Sequence, residues 1–412
     1  MSRVLALRLA SIIVGLLLPL ILLELGFQLL PATSGPWIDV VTAEQPIARF
    51  QANRDFTWSM LPSMEHVRHG HINNAGFIAA TDYVPATHRR PDAPPVVAVI
   101  GDSFVEALMA PLGATFVSRL SSRIGQRGEV YGFGISGAPL SQYLAWADNA
   151  RRQYRPELLI VSVVSNDFDE SILDYKLASD AGSSRGFQYF VPDGDRLALS
   201  LIENRPSLGR RLARSSALIR YFYMNAGLRL DASLLARLGL THSENPLSAP
   251  ALSAVERRIR HQFPTQELSP LPEREPLTRR AVDAFLAELP ARAGLPPARI
   301  ILTVDALCIA LIDPTLAQAT RQSLFGRMRS YLMAEAHAAG FTVVDLDAPM
   351  RAFVGETGQP VEYSDDYHWN EHGHRIVADA IAATAPFRKL FDAEVSRAVV
   401  APRDDAGTRL AR

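Results

Sequence analysis

The chain has a single cysteine, Cys308, in 412 residues, which excludes an intrachain disulfide and any metal cluster built on cysteine. Cys308 sits in an apolar run and reads as core. The chain also lacks an excess of charge: 42 Lys and Arg face 43 Asp and Glu, for a formal net charge of −1. With both signs interspersed along the sequence, no nucleic-acid partner is expected. No internal repeat is visible, so fibre and solenoid architectures drop out. At this length the chain can bury a large core, as one α/β domain with an insertion or as two modest domains.

Long apolar runs are scarce too, with one exception at the N-terminus. Arg3 and Arg8 precede a stretch from Leu9 to Leu30 interrupted only by Ser11, Pro19, Glu24 and Gln28. That is long enough to cross a bilayer, and its apolar residues wrap every face rather than one stripe. A cleaved signal peptide would have a shorter apolar region and a small-x-small cleavage site, whereas this run ends in Leu29-Leu30-Pro31. The expectation is a membrane anchor over 9–30, with residues 1–8 in the cytoplasm. By the positive-inside rule the remainder lies in the periplasm or outside the cell. Glu24 is close enough to the outer end to reach the interface.

After the anchor, residues 31–95 read as a connecting arm with a turn at His71-Ile72-Asn73-Asn74-Ala75-Gly76-Phe77. From Val96 strands and helices alternate, which predicts a parallel sheet. Strands are expected at Val96–Gly101, Glu129–Phe133, Leu158–Val164, Arg299–Val304 and Phe341–Leu346. Helices are expected at Phe116–Ile124, Leu140–Arg152, Leu277–Leu289, Thr315–Ala339 and Asn370–Ala385. Within this 96–390 domain, about 170–275 breaks the rhythm and reads as a helical insertion without a strong strand. Residues 391–412 read as a polar tail.

The strand Val96–Gly101 runs into Asp102-Ser103, and open α/β sheets place their chemistry at such strand ends. Taken alone, Gly-Asp-Ser suits a helix N-cap as well as a nucleophile. Three later positions bear on the choice: Gly137, Asn166, and the group Asp365-Asp366-Tyr367-His368 fall at other strand ends or at the start of the last helix. A serine needs a base within hydrogen-bond reach and a carboxylate to hold that base's tautomer, and His368 with a neighbouring aspartate offers both. The backbone N–H groups of Ser103 and Gly137 and the Asn166 amide are suitable donors for an oxyanion.

These blocks resemble the SGNH hydrolases of the GDSL superfamily: Gly101-Asp102-Ser103, the glycine of Ile135-Ser136-Gly137, Ser165-Asn166-Asp167, and Asp-x-x-His at Asp365 to His368, in that order. The resemblance implies an α/β fold, a flavodoxin-like three-layer α/β/α sandwich with a central parallel sheet. It also implies a Ser-His-Asp triad without a cofactor or metal. The implied chemistry is ester hydrolysis or acyl transfer on acylated carbohydrate or lipid, and the acceptor, water or a glycan hydroxyl, stays open. It assigns Ser103 as nucleophile, His368 as base, and Ser103, Gly137 and Asn166 to the oxyanion hole. Val164 stands where the family usually has a glycine. The triad acid also stays open, because Asp365 fits Asp-x-x-His while Asp366 fits the Asp-x-His-Trp-Asn pattern. That second pattern, with the anchor and the Asn-x-x-Gly-Phe segment, is similar to anchored envelope members and alginate acetyltransferase-like proteins.

Rival readings use the same residues. Gly134-Ile135-Ser136-Gly137-Ala138 nearly matches the Gly-x-Ser-x-Gly elbow and would make Ser136 the nucleophile; otherwise Ser136 is a loop serine bonded to backbone. Asp366, His368, His372 and His374 cluster as a metal set might, with His69 and His71 elsewhere. Asn370 reads as an N-cap, however, which aims His372 and His374 in different directions. Asp167 and Asp169 read as caps after the third strand, with Asp167 also a candidate to line the site, and Trp369 reads as packing rather than substrate stacking. The rival for the whole chain is a catalytically silent envelope module that binds glycan or protein.

Overall fold

A computed structural model describes residues 3–60, 63–180, 184–226, 270–363 and 368–391. The middle of the expected insertion, 227–269, and the expected tail beyond Phe391 lie outside the described residues. The chain begins with helix α1 (Arg3–Gln28). An antiparallel hairpin follows, β1 (Arg54–Met60) and β2 (Glu65–Ile72). Strand β3 (Val96–Gly101) then feeds α2 (Ser103–Glu106) and α3 (Phe116–Ile124). Strand β4 (Glu129–Gly134) feeds α4 (Leu140–Gln153), and β5 (Leu158–Val163) feeds α5 (Leu173–Asp180).

The described part of the insertion holds a hairpin, β6 (Gln188–Asp193) and β7 (Arg196–Leu201), before the short helices α6 (Leu208–Ser215) and α7 (Ala217–Arg220). The sequence reading missed these strands because their burial is graded rather than alternating. Helix α8 (Glu275–Ala293) returns to the sheet at β8 (Ile300–Val304). Three helices follow, α9 (Cys308–Ile312), α10 (Ala317–Gln322) and α11 (Leu324–Ala338), then β9 (Thr342–Asp345). The chain closes with α12 (Asp347–Thr357), α13 (Glu371–Ala382) and α14 (Ala385–Phe391). The single helix expected over 315–339 is broken because Ser323 is extended and caps α11, its side chain accepting from the Gly326 N–H.

The five parallel strands lie in the order β4-β3-β5-β8-β9, the flavodoxin-like order, with β3 next to both β4 and β5. Strands β3, β5 and β8 are buried along their whole length, which explains their unbroken apolar sequences. Val96, Ala98 and Ile100 face a core shared with α4, α8 and α11, while Val97 and Val99 face one shared with α3 and α13. This is the three-layer α/β/α arrangement expected from the sequence.

The arm packs on the edge of that sheet. The Tyr83 hydroxyl donates to the Gly132 carbonyl (2.9 Å) and accepts from the Gly132 N–H (2.8 Å), and Trp146 Nε1 donates to Ala48 O (2.8 Å). Edge strand β4 thus has polar backbone groups satisfied by a side chain from the arm. Among the described residues, one helix is long and apolar enough to cross a membrane, Ser11–Gln28 of α1, and none of that stretch is buried.

Candidate active site

Because β4, β3 and β5 are parallel neighbours, their C-terminal ends lie side by side, and the chain delivers Gly137, Ser103 and Asn166 from those three ends. Ser103 opens α2 and is 8% exposed. Asp102 is its N-cap: Oδ1 accepts from the Phe104 N–H (3.0 Å) and Oδ2 from the Ser103 Oγ–H (3.1 Å). Burial raises the Asp102 pKa, against hydrogen bonds and the nearby His368 that lower it. The cap reading and the nucleophile reading of Gly-Asp-Ser are therefore compatible, since Asp102 fills the first and leaves Ser103 at the helix start.

Two glycines seat α2 on the sheet. Gly101 and Gly134 are register partners on β3 and β4. A Cβ on Gly101 would lie 2.4 Å from Val105 Cγ2, and one on Gly134 would lie 2.6 Å from the Glu106 backbone nitrogen. In the turn after β4, Gly137 has φ +78°, a left-handed conformation that side-chain-bearing residues rarely adopt. The preceding Ser136 is held by Glu106 of α2, whose Oε2 accepts from the Ser136 N–H (2.5 Å) and from its hydroxyl. The expected backbone partner for Ser136 is thus replaced by a buried carboxyl. That contact ties the Gly137 turn to the helix carrying Ser103, and it commits the Ser136 hydroxyl to an acid rather than to a histidine.

Asn166 lies in a 3₁₀ turn, Ser165–Asp167, after β5. Its side-chain amide makes no hydrogen bond among the described residues. Asp167 is fully buried and builds the turn, Oδ2 accepting from the Val164 N–H (2.8 Å) and Oδ1 from the Tyr143 hydroxyl (2.7 Å). Asp169 does not cap the loop as expected; it pairs with Arg274 (2.6 Å).

His368 stands just before α13, its ring 4.9 Å from the Phe104 ring, the residue after Ser103. Trp369 is buried, packs on Phe104 at 4.7 Å, and donates from Nε1 to Asp305 Oδ1 (3.0 Å). Asn370 caps α13 as expected, accepting from the His372 and Gly373 N–H groups. Asp365 and Asp366 lie outside the described residues, on the segment that joins Tyr363 to His368. The ends of that segment are tied by the Tyr363 N–H donating to His368 O (3.1 Å).

The histidine cluster divides. His374 is buried, its Nδ1 accepts from the Phe116 N–H (3.3 Å), and burial pushes its pKa down to about 3. His372 sits against Phe353 instead. His71 and His69 are in the arm hairpin, bonded to Asp55 and Thr57. The grouping whose ligand atoms do lie within 4.8 Å of one another is Asp305, Cys308 and Glu362, all buried. Cys308 is core as expected, with its thiol pKa pushed up by burial and by those acids.

Sequence reasoning missed Glu106 and Asp305. Each had a visible signal: Glu106 is the lone acid in Phe104-Val105-Glu106-Ala107-Leu108, and Asp305 ends the apolar run of β8. Burial raises both pKa values to about 7. In the unfolded chain these acids titrate near their ordinary values of about 4. Between those limits the folded protein binds more protons than the unfolded one, so stability falls as pH rises from about 4 to 7 and is level above. Each group is expected to contribute on the order of 3–4 kcal/mol to that fall. Denaturation midpoints measured from pH 5 to 8 should decline less steeply in Glu106→Gln than in the wild type; parallel slopes would contradict the assignment.

No protein-family model matches the sequence, and no curated protein matches it. Solved structures do. One is an alpha/beta hydrolase enzyme from the metagenome of Lake Arreo, Spain, at 14% identity and TM-score 0.36, over 71% of this chain and 94% of that one. Another is a member of the lipolytic protein G-D-S-L family from Veillonella parvula, at 11% identity and TM-score 0.33, over 70% and 97%. A third is an acetyl xylan esterase, at 13% identity and TM-score 0.36, over 70% and 99%.

Proposed function

We propose that this chain is a serine-dependent acyl-ester hydrolase of the SGNH kind, held at a membrane by α1 and acting on acylated envelope carbohydrate or lipid. The observation that carries the reading is the meeting of Ser103, Gly137 and Asn166 on three adjacent strand ends, with the His368 ring against Phe104. Rotation about χ1 releases Ser103 Oγ from Asp102 and turns it to His368 Nε2. His368 takes the hydroxyl proton as Oγ attacks the ester carbonyl carbon. The oxyanion of the tetrahedral intermediate is met by the Ser103 and Gly137 N–H groups and the unengaged Asn166 amide. Collapse expels the alcohol, which receives the proton from His368, and water attacks the acyl-enzyme by the same steps in reverse. The carboxylate that orients His368 is assigned by spacing to Asp365 or Asp366. Incubating the full chain with a short acyl-nitrophenyl ester tests the reading: steady release of nitrophenolate is expected, and none would contradict it.

Arg3 and Arg8 put the N-terminus in the cytoplasm and the hydrolase domain on the other side. Contacts at the outer end of α1 support an anchor that is kept. Glu24 accepts from Ser216 Oγ (2.7 Å), the Ala217 N–H (2.8 Å) and the Leu218 N–H (3.1 Å), and the Phe27 ring lies 4.7 Å from Tyr221. Cleavage would strip these partners from the domain. The protein recovered from membranes should therefore carry its original N-terminal segment, and a mature start near Ala32 would contradict the topology.

A further inference from the structure

Nine large apolar residues outside 3–30 are exposed among the described residues, and six of them fall between 208 and 224, a clustering that single surface hydrophobics would not show. They include Leu208 (77%), Leu212 (69%) and Tyr223 (56%). The same stretch carries Arg210, Arg211, Arg214 and Arg220, and 206–226 contains no Asp or Glu. Its basic and apolar residues thus lie together on the two short helices α6 and α7 and the wide turn Tyr221–Asn225.

This segment is fixed to the end of the apolar helix. Besides the three hydrogen bonds to Glu24, the Phe27 ring packs at a tilt against both Tyr221 and Phe222 (4.7 and 6.0 Å). Arg220 Nε donates to Thr33 O (3.0 Å), and buried Asn225 accepts from the Thr33 N–H (3.1 Å). Between these contacts lies a cleft of about 490 Å³ lined by Trp37, Arg210, Arg214, Ile219, Arg220 and Tyr223. Arg214 lies over the Trp37 ring at 4.7 Å, and its Nη1 is buried with no hydrogen-bond partner. Among the described residues no carboxylate pairs with Arg210, Arg211 or Arg214, and Arg214 has its pKa lowered by burial and by Arg210.

We infer that residues 207–226 form an interfacial platform that binds the anionic headgroups of the bilayer crossed by α1, with Arg210 and Arg214 on a lipid phosphate and Leu208, Leu212 and Tyr223 at the acyl boundary. The partner follows from continuity: the basic, apolar segment is packed against the last turns of a helix long enough to span that bilayer, where amphipathic basic segments lie in the interface. The inference rests on reading α1 as a membrane span. Its consequence is a hydrolase domain held at a fixed height and tilt over the lipid surface instead of swinging on a tether.

The test uses the full chain in lipid nanodiscs with a fluorophore on Leu17→Cys, Leu212→Cys, Tyr223→Cys or Ile312→Cys, the buried Cys308 being left in place. Doxyl-lipid quenching should be strong at 17, at least twofold greater at 212 and 223 than at 312, and greater with phosphatidylglycerol than with phosphatidylcholine. Arg210→Gln with Arg214→Gln should remove the lipid preference. Quenching at 17 without quenching at 212 and 223 would overturn the platform and leave the span standing. No quenching at 17 would overturn both. Labels at 212 and 223 shielded from lipid quencher and aqueous iodide alike would show that protein, residues 227–269 or a second copy, covers the face, which also overturns it.

Discussion

Ser103→Ala is expected to cut ester turnover by about 10³-fold or more while leaving the fold intact. The loss should fall on kcat, because the missing oxygen forms a bond only as the acyl group transfers. Folding should change little: the Asp102 cap keeps its bond to the Phe104 N–H and loses only the Ser103 hydroxyl. His368→Ala is expected to cost a similar factor, and the double variant little more than either single one, since nucleophile and base act as a unit. Turnover of nitrophenyl acetate by purified variants measures this. Equal rates for wild type and Ser103→Ala would mean another residue attacks. Loss in Ser136→Ala with Ser103→Ala intact would move the chemistry to the rival serine, whose hydroxyl is bound to Glu106.

The second large effect is expected at Gly134. Its Cβ, if present, would sit 2.6 Å from the Glu106 nitrogen and 2.7 Å from Val105 Cβ, contacts that involve backbone and cannot be relieved by a side-chain rotation. Gly134→Ala should therefore push α2 away from β4 and loosen the Glu106 hold on Ser136. Overpacking of this kind costs about 1–3 kcal/mol, a fall in Tm on the order of 5 °C. Activity should drop with it, because Ser103 rides on the displaced helix while Gly137 sits in the turn that follows the strand. Gly113→Ala is the control: nothing lies within 4 Å of its added Cβ, so stability and turnover should hold. Equal melting temperatures for the two variants would contradict the described seat of α2.

How far the fold was legible follows from where apolar residues are spent. Strands β3, β5 and β8 are buried on both faces, so their sequences are continuous runs that point to a parallel sheet. Helix α3 was legible to the residue, with Phe116, Leu120 and Ile124 buried at helical spacing and Thr115 as its cap. Helix α12 was missed because only Met350 is buried along it, which leaves no stripe to detect. Of the candidate site, the polar residues at strand ends were legible because Ser103, Gly137 and Asn166 interrupt or follow apolar runs. Glu106 and Asp305 stood out only as lone acids against apolar runs, a signal that does not give a role, because their partners, Ser136 and Trp369, lie 30 and 64 residues away. The choice between Asp365 and Asp366 turns on which carboxylate faces His368 Nδ1, a matter of loop geometry that spacing does not encode.

The most direct measurement is the site of the acyl-enzyme. The full chain, quenched in acid during turnover of nitrophenyl acetate and digested for mass spectrometry, is predicted to carry one acyl group on Ser103. That adduct should be absent in Ser103→Ala and should accumulate more slowly in His368→Ala. An acyl group on Ser136 or any other residue, with Ser103 unmodified, would contradict the account.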